Sequence, residues 1–423
     1  MKLFRLFIVL FLLIFSAKNA HSCSAYKVTV GGHTLFGVNF DTWAINPKIW
    51  FETRGYGAVF SGANYDKDGL RPQSGMNEYG LAFGTLSTLT PPNRKEMLNK
   101  KQITSRVNYL KDILHSCKTV EEVKAYIEQY NHSALPNDVF IYTDKSGKYL
   151  IVEPYTVTLG NENKYVLANF CPSTITDFST IKQQRYINGA AFLKTKIDTS
   201  VAFCRALSDT MHVCRNRIGD GTLLTSIWNP TNGSVHLYFY HDYKHQVKLD
   251  LRKELAKGDH LIEITSLFPA NTEYQKLLDF KTPANNNYIS KFILACFILF
   301  LFSFVYFGVD YFRNRKIKYS YFKLLLAVLS LFMAYYMTVL VRESGVFYFP
   351  APYKSSDSGF IDITSYLPFL ILLIIIPLLI INRNVINDKA WGTFSKLLLT
   401  LNSFTYVILL GLFFYWGLFN IFI

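Results

Sequence analysis

The chain is 423 residues long, half of them hydrophobic and 16% aromatic, and it carries a formal net charge of +14. The apolar residues are too unevenly spread for one uniform globular domain: residues 23 to 285 are mixed and alternating, and long apolar runs follow Lys291. The basic excess has a topological cause, given below, and does not point to nucleic-acid binding.

Residues 1–22 have a short basic start (Lys2, Arg5), an apolar stretch from Leu6 to Phe15, and small residues at Ala20 and Ser22. This is signal-peptide architecture, with an apolar part too short to span a bilayer. Cleavage after Ser22 would leave Cys23 as residue one of an exported chain. Lipidation of that cysteine is the alternative, although Ala20, His21 and Ser22 are a poor lipoprotein signal, and an uncleaved anchor is another.

Alternating stretches at Tyr26 to Val30, Thr34 to Phe40, Ile49 to Thr53 and Ala58 to Ser61 predict an antiparallel opening sheet, with Gly31-Gly32 as its first turn. SGMNEYGLAFG turns at Asn77-Glu78 and feeds a strand. Helical spacing follows over Thr104 to Cys117 and Thr119 to Tyr130, where Thr119 and Glu122 form a capping box. Two further helices are expected at Ile181 to Lys194, capped by Thr180 and Gln183, and at Ser200 to His212. The strands DVFIYT, KYLIVEP, YVLANF, SIWNP and SVHLYFYH flank them. The order predicts an α+β domain, two packed sheets between helix layers, over residues 23–280.

A linker at 281–291 leads to a C-terminal region, 292–423, with four expected spans at 292–312, 324–341, 366–382 and 397–421. The first connection holds Arg313, Arg315, Lys316, Lys318 and Lys323 without an acid, and the third holds Arg383, Lys389 and Lys396. The positive-inside rule makes these cytoplasmic and the N-terminal domain extracytoplasmic, in agreement with the leader. The spans hold few ionisable groups, with Asp310 near an edge, so they read as an anchor for a multi-pass membrane protein and not as a transport path.

Of the six cysteines, Cys117, Cys171, Cys204 and Cys214 could form one or two disulfides in an oxidising compartment, in any pairing, and none has zinc spacing. Cys23 differs in kind. At a free N-terminus it carries a thiol and an α-amine on one residue, with ordinary pKa values near ~8.5 and ~8, close enough to exchange a proton. That pair suits nucleophilic attack on an amide.

The segments CSAYKV, GVNFD, SGMNEYGLAFG, VLANF and LLTSIWNPTNGSVHLYF, in this order over roughly residues 23–250, resemble the N-terminal-nucleophile (Ntn) amidohydrolases. The resemblance is to the group of choloylglycine hydrolases, penicillin acylases, acid-ceramidase-like enzymes and isopenicillin N-acyltransferases (peptidase family C45). It implies an αββα sandwich and a linear-amide hydrolase working through a thioester, or an acyltransferase from the same acyl-enzyme. It implies no metal or other cofactor. Cys23 matches the nucleophile, Asp41 the carboxylate beside it, and Asn169 the oxyanion donor. Asn39, Ser87 and Arg185 are expected in supporting or substrate-binding roles. Val38 stands where many relatives have arginine, which argues against bile-salt and penicillin specificity. A membrane-tethered site suits small N-acylated, partly lipid-like substrates. A non-catalytic membrane-anchored sensor that kept the fold is the rival reading, and the oligomeric state is left open.

Overall fold

The computed structural model describes residues 22–42, 46–65, 69–88, 90, 91, 100–214, 221–316, 319–354 and 358–421. Apart from the backbone of Ser22, the expected leader lies outside the described residues. The chain divides into two compact units, one spanning Ala20–Asp279 and one that includes Phe280–Ile423.

In the first unit the strands are β1 (Ser22–Val30), β2 (His33–Thr42), β3 (Pro47–Glu52), β4 (Ala58–Tyr65), β5 (Gly69–Asn77) and β6 (Ala82–Ser87). Helices α1 (Arg106–Ser116) and α2 (Val120–Ile127) follow, then β7 (Asp138–Thr143), β8 (Tyr149–Val152), β9 (Val157–Gly160) and β10 (Lys164–Leu167). Next come α3 (Gln184–Thr195), α4 (Val201–Met211), β11 (Gly221–Asn229), β12 (Ser234–Phe239), β13 (Val247–Asp250), α5 (Leu251–Leu255), β14 (His260–Glu263) and α6 (Thr272–Asp279). The strands form a six-stranded sheet, β10-β1-β2-β11-β12-β13, and an eight-stranded sheet, β14-β3-β4-β5-β6-β7-β8-β9.

The β1–β2 hairpin turns on Gly31 (φ +58°) and Gly32 (φ +78°), a pair of positive φ values that a two-residue loop matched to strand twist requires. The two sheets meet face to face. A Cβ on Gly84 of β6 would lie 2.8 Å from Val38 Cγ2 of β2, and Ser74 of β5 shares a 3.0 Å hydrogen bond with Ser226 of β11. On the outer face of the larger sheet, Leu110, Ile113 and Leu114 of α1 and Val123 and Ile127 of α2 pack on Phe60, Phe83 and Tyr142. Outside the smaller sheet, Leu193 of α3 and Leu207 and Met211 of α4 pack on Tyr26, Leu35 and Ile227. The layering is therefore α-β-β-α.

Two local expectations need amending. Thr119 accepts from Glu122 N–H as a cap should, but the Glu122 carboxylate returns to Lys118 N–H (2.7 Å), one residue further out. The α3 helix starts at Gln184, and residues Phe178–Thr180 form a separate 3₁₀ turn. Gln183 cannot serve as the helix's capping side chain because it is bonded elsewhere, to Asn169. Cys117, Cys171 and Cys204 are buried thiols, none of them in a disulfide.

Among its described residues the second unit holds four segments long and apolar enough to cross a membrane: Asn287–Arg313, Ser320–Arg342, Gly359–Asn387 and Thr393–Tyr415. At 1.5 Å per residue even 23 residues reach ~35 Å, beyond the ~30 Å hydrocarbon layer. The third breaks at residues 365 and 366, while Pro377 sits inside an unbroken helix. Lys323, counted above among loop charges, lies in the second of these helices. It is 1% exposed there and paired with Asp310 at 2.6 Å.

Candidate active site

Strand register assembles the site. In the hairpin Cys23 lies opposite Phe40 and Ser22 opposite Asp41. On the other side of β1 the ladder to β10 ends at Ala25 and Leu167. Two residues past that pair, Asn169 reaches Cys23: its Oδ1 accepts from Cys23 N–H at 2.8 Å. Asn169 Nδ2 donates to the Ser87 carbonyl at 2.6 Å, which ties the end of β10 to the end of β6 in the other sheet.

Asn169 is held in turn by Gln183. The Asn169 N–H donates to Gln183 Oε1 at 3.1 Å, and Gln183 Nε2 donates to the Asn169 carbonyl at 2.9 Å. Arg185, in the first turn of α3, donates to the Cys23 carbonyl (3.3 Å), to Gln183 Oε1 (3.2 Å) and to Asn169 Oδ1. A guanidinium fork serves several oxygens at once, which a lysine ammonium does less well. From the larger sheet, Gln73 Nε2 donates to Cys23 Sγ at 3.3 Å and to the Thr85 carbonyl at 2.5 Å.

The Cys23 thiol is fully buried, and burial, followed by the charge of Asp41, pushes its pKa up to about 12. The Asp41 backbone N–H and the positive charges of Arg185 and Arg106 act against that rise without cancelling it. At neutral pH such a thiol is ionised to about one part in 10⁵, so it needs a base at hand.

Of the residues expected in the site, Cys23, Asn169 and Arg185 are brought into direct contact. Ser87 joins through its carbonyl. Asp41 contributes charge and a backbone amide, and its carboxylate accepts from Thr222 Oγ1 at 2.6 Å. Asn39 is turned away: its Nδ2 donates to the Ser208 carbonyl of α4 at 2.9 Å and its Oδ1 accepts from Thr225 at 2.8 Å. It therefore ties β2 to the outer helix layer. Gln73 and Gln183 were not anticipated. Gln73 directly precedes the SGMNEYG run, and Gln183 had been assigned to a helix cap. Among the described residues no cluster of three His, Cys, Asp or Glu is placed to hold a metal ion.

No protein-family model matches the chain, and no curated protein matches it either. Among solved structures it is similar to a variant of conjugated bile acid hydrolase from Clostridium perfringens (20% identity, TM-score 0.46), over 59% of this chain and 97% of that one. A second variant of the same hydrolase matches over the same shares at 18% identity and TM-score 0.45. Penicillin V acylase from Agrobacterium tumefaciens matches at 14% identity and TM-score 0.45, over 57% of this chain and 91% of that one. The first unit has the α-β-β-α layering described above, and four long apolar helices follow it among the described residues.

Proposed function

We propose that the protein is a membrane-anchored amidohydrolase whose nucleophile is the Cys23 thiol and whose general base is the α-amine of the same residue. One observation carries the reading. The nitrogen and the sulfur of Cys23 are each held by a side-chain amide from a different sheet, Asn169 at 2.8 Å and Gln73 at 3.3 Å. With Ser22 attached, that nitrogen is a peptide N–H and has no basic lone pair. Cleavage after Ser22 turns it into an amine in the same place.

The amine takes the thiol proton, and the thiolate attacks the substrate carbonyl, forming a C–S bond and an oxyanion. The Asn169 side-chain amide and nearby backbone amides would donate hydrogen bonds to that oxyanion, an arrangement worth ~10² to 10³ in rate at comparable sites. Collapse breaks the C–N bond as the ammonium passes its proton to the leaving nitrogen. Water then attacks the thioester, gives its proton to the amine, and releases the acid and the restored thiol. Small N-acylated, partly apolar substrates suit an enzyme tethered at a bilayer. The N-terminal domain would stand on the extracytoplasmic side.

The test joins an intact-mass measurement of the mature chain to hydrolysis of an N-acyl substrate panel. The expected outcome is a chain starting at an unmodified Cys23, no turnover after Cys23→Ala, and a loss of ~10²-fold or more after Asn169→Ala. A blocked or lipidated Cys23 in protein that still turns over would overturn the proposal.

A further inference from the structure

The contact from Gln73 to the Cys23 sulfur depends on an irregularity in the sheet. Along β4 and β5 the pairing runs Ser61 with Ser74 and then Gly62 with Pro72, so Gln73 is an extra residue with no ladder partner. A bulge of this kind re-aims the side chain it carries. Two neighbours make it possible. Pro72 has no N–H to lose from the ladder. At Gly62 a Cβ would lie 2.0 Å from the Arg71 carbonyl oxygen and 3.1 Å from Gln73 N, so any larger residue would push the bulged backbone away.

The amide's orientation follows from its second contact. Thr85 presents a carbonyl oxygen, an acceptor only, at 2.5 Å. A flipped Gln73 would set two oxygens against each other at that distance, so its nitrogen faces Thr85 and its other N–H faces the sulfur. A donor aimed at sulfur favours the thiolate over the thiol, because the anion accepts the stronger bond. It does so where burial and Asp41 both oppose the charge.

We propose that Gln73 is a further catalytic residue, its bulge-directed side-chain N–H binding the Cys23 sulfur and stabilising the thiolate before attack. This rests on Cys23 being the nucleophile. It adds no new chemical step: the proton still leaves sulfur for the amine, and Gln73 keeps its own hydrogens. A hydrogen bond to an anion is worth roughly one to two pKa units. Each unit gives tenfold more thiolate and costs about threefold in nucleophilicity. Losing the donor should therefore slow the thiol about 3- to 11-fold below its pKa.

The experiment alkylates the full-length chain with iodoacetamide from neutral to alkaline pH and follows the Cys23 peptide by mass spectrometry. Gln73→Leu removes the donor, Gln73→Glu keeps the shape but offers a carboxylate, and Gly62→Ala keeps the amide but displaces it. All three should slow Cys23 alkylation about 3-fold or more, Gln73→Glu the most, and move the pH profile upward. Alkylation of Cys117 and Cys204 at the same rate as in the parent protein would show that the fold is intact. A Cys23 profile unchanged in both Gln73 variants overturns the proposal. Alkylation does not depend on turnover, so the two readings fail separately: amide hydrolysis surviving Cys23→Ala would remove the nucleophile and leave the Gln73 contact standing.

Discussion

Gln183 and Asn169 bind each other as two strands would, through a reciprocal pair of hydrogen bonds between a side-chain amide and a backbone peptide, at 3.1 and 2.9 Å. The pair stands in for a ladder that has stopped at Leu167, and it fixes the backbone from which Asn169 reaches Cys23. Replacing Gln183 by Ala takes both of these bonds from the Asn169 backbone. We expect a loss of about 1 to 2 kcal/mol in stability and a larger effect on kcat than on KM, because the displaced group touches the nucleophile. Denaturant unfolding beside steady-state kinetics checks this, and a change in KM alone would contradict it.

Arg185→Lys keeps the charge and loses the fork that reaches Cys23, Gln183 and Asn169 together. Turnover should fall by about tenfold, or ~1.4 kcal/mol in barrier. Arg185→Gln also removes a positive charge that favours the thiolate, so its Cys23 alkylation profile should shift to higher pH than that of the lysine variant. Coincident profiles for the two would rule out an electrostatic role.

Asn39→Ala separates a structural asparagine from a catalytic one. Its two partners are the Ser208 carbonyl of α4 and the Thr225 hydroxyl of β11. Removing it should cost about 1 to 3 kcal/mol of stability and leave the rate per folded molecule within about twofold. A hundredfold loss of rate in a fully folded variant would return Asn39 to the active site.

Glu52 sets an acid limit on the first unit. Burial raises its carboxyl, but hydrogen bonds from His115 and Lys111, with their charge, outweigh that and hold it at about 2, below its ordinary 4.5. Because the folded value lies below the unfolded one, the contribution is complete above pH 4.5 and is lost as pH falls toward 2. Chemical denaturation at a series of pH values should show stability declining through that window, and Glu52→Gln should flatten the decline. An equally steep acid limb in the variant would assign the effect elsewhere.

The parts of the fold that were legible in the sequence are those that local pattern controls. Period-two alternation marked the opening strands, the glycine pair marked their turn, and Thr119 caps a helix where helical spacing resumes. The short strands β9, β13 and β14 escaped notice: four residues carry little alternation signal, and β8 and β10, of the same length, stand out only through the apolar runs KYLIVEP and YVLANF that overlap them. β5 was hidden by its own bulge, which places Pro72 and an unpaired Gln73 inside it.

By itself the sequence determined the hairpin that presents Cys23, the residue types that could do amide chemistry, and the four apolar segments, since each depends on spacing along the chain or on length. Tertiary structure alone decided which side chains meet. Asn39 and Cys23 lie one register step apart across a β-ladder, and one step reverses the face a side chain points to. Gln73 reaches the sulfur from the other sheet, 50 residues away, because an extra residue turned its face inward. Such contacts depend on how two sheets stack, and stacking leaves no periodicity in the chain.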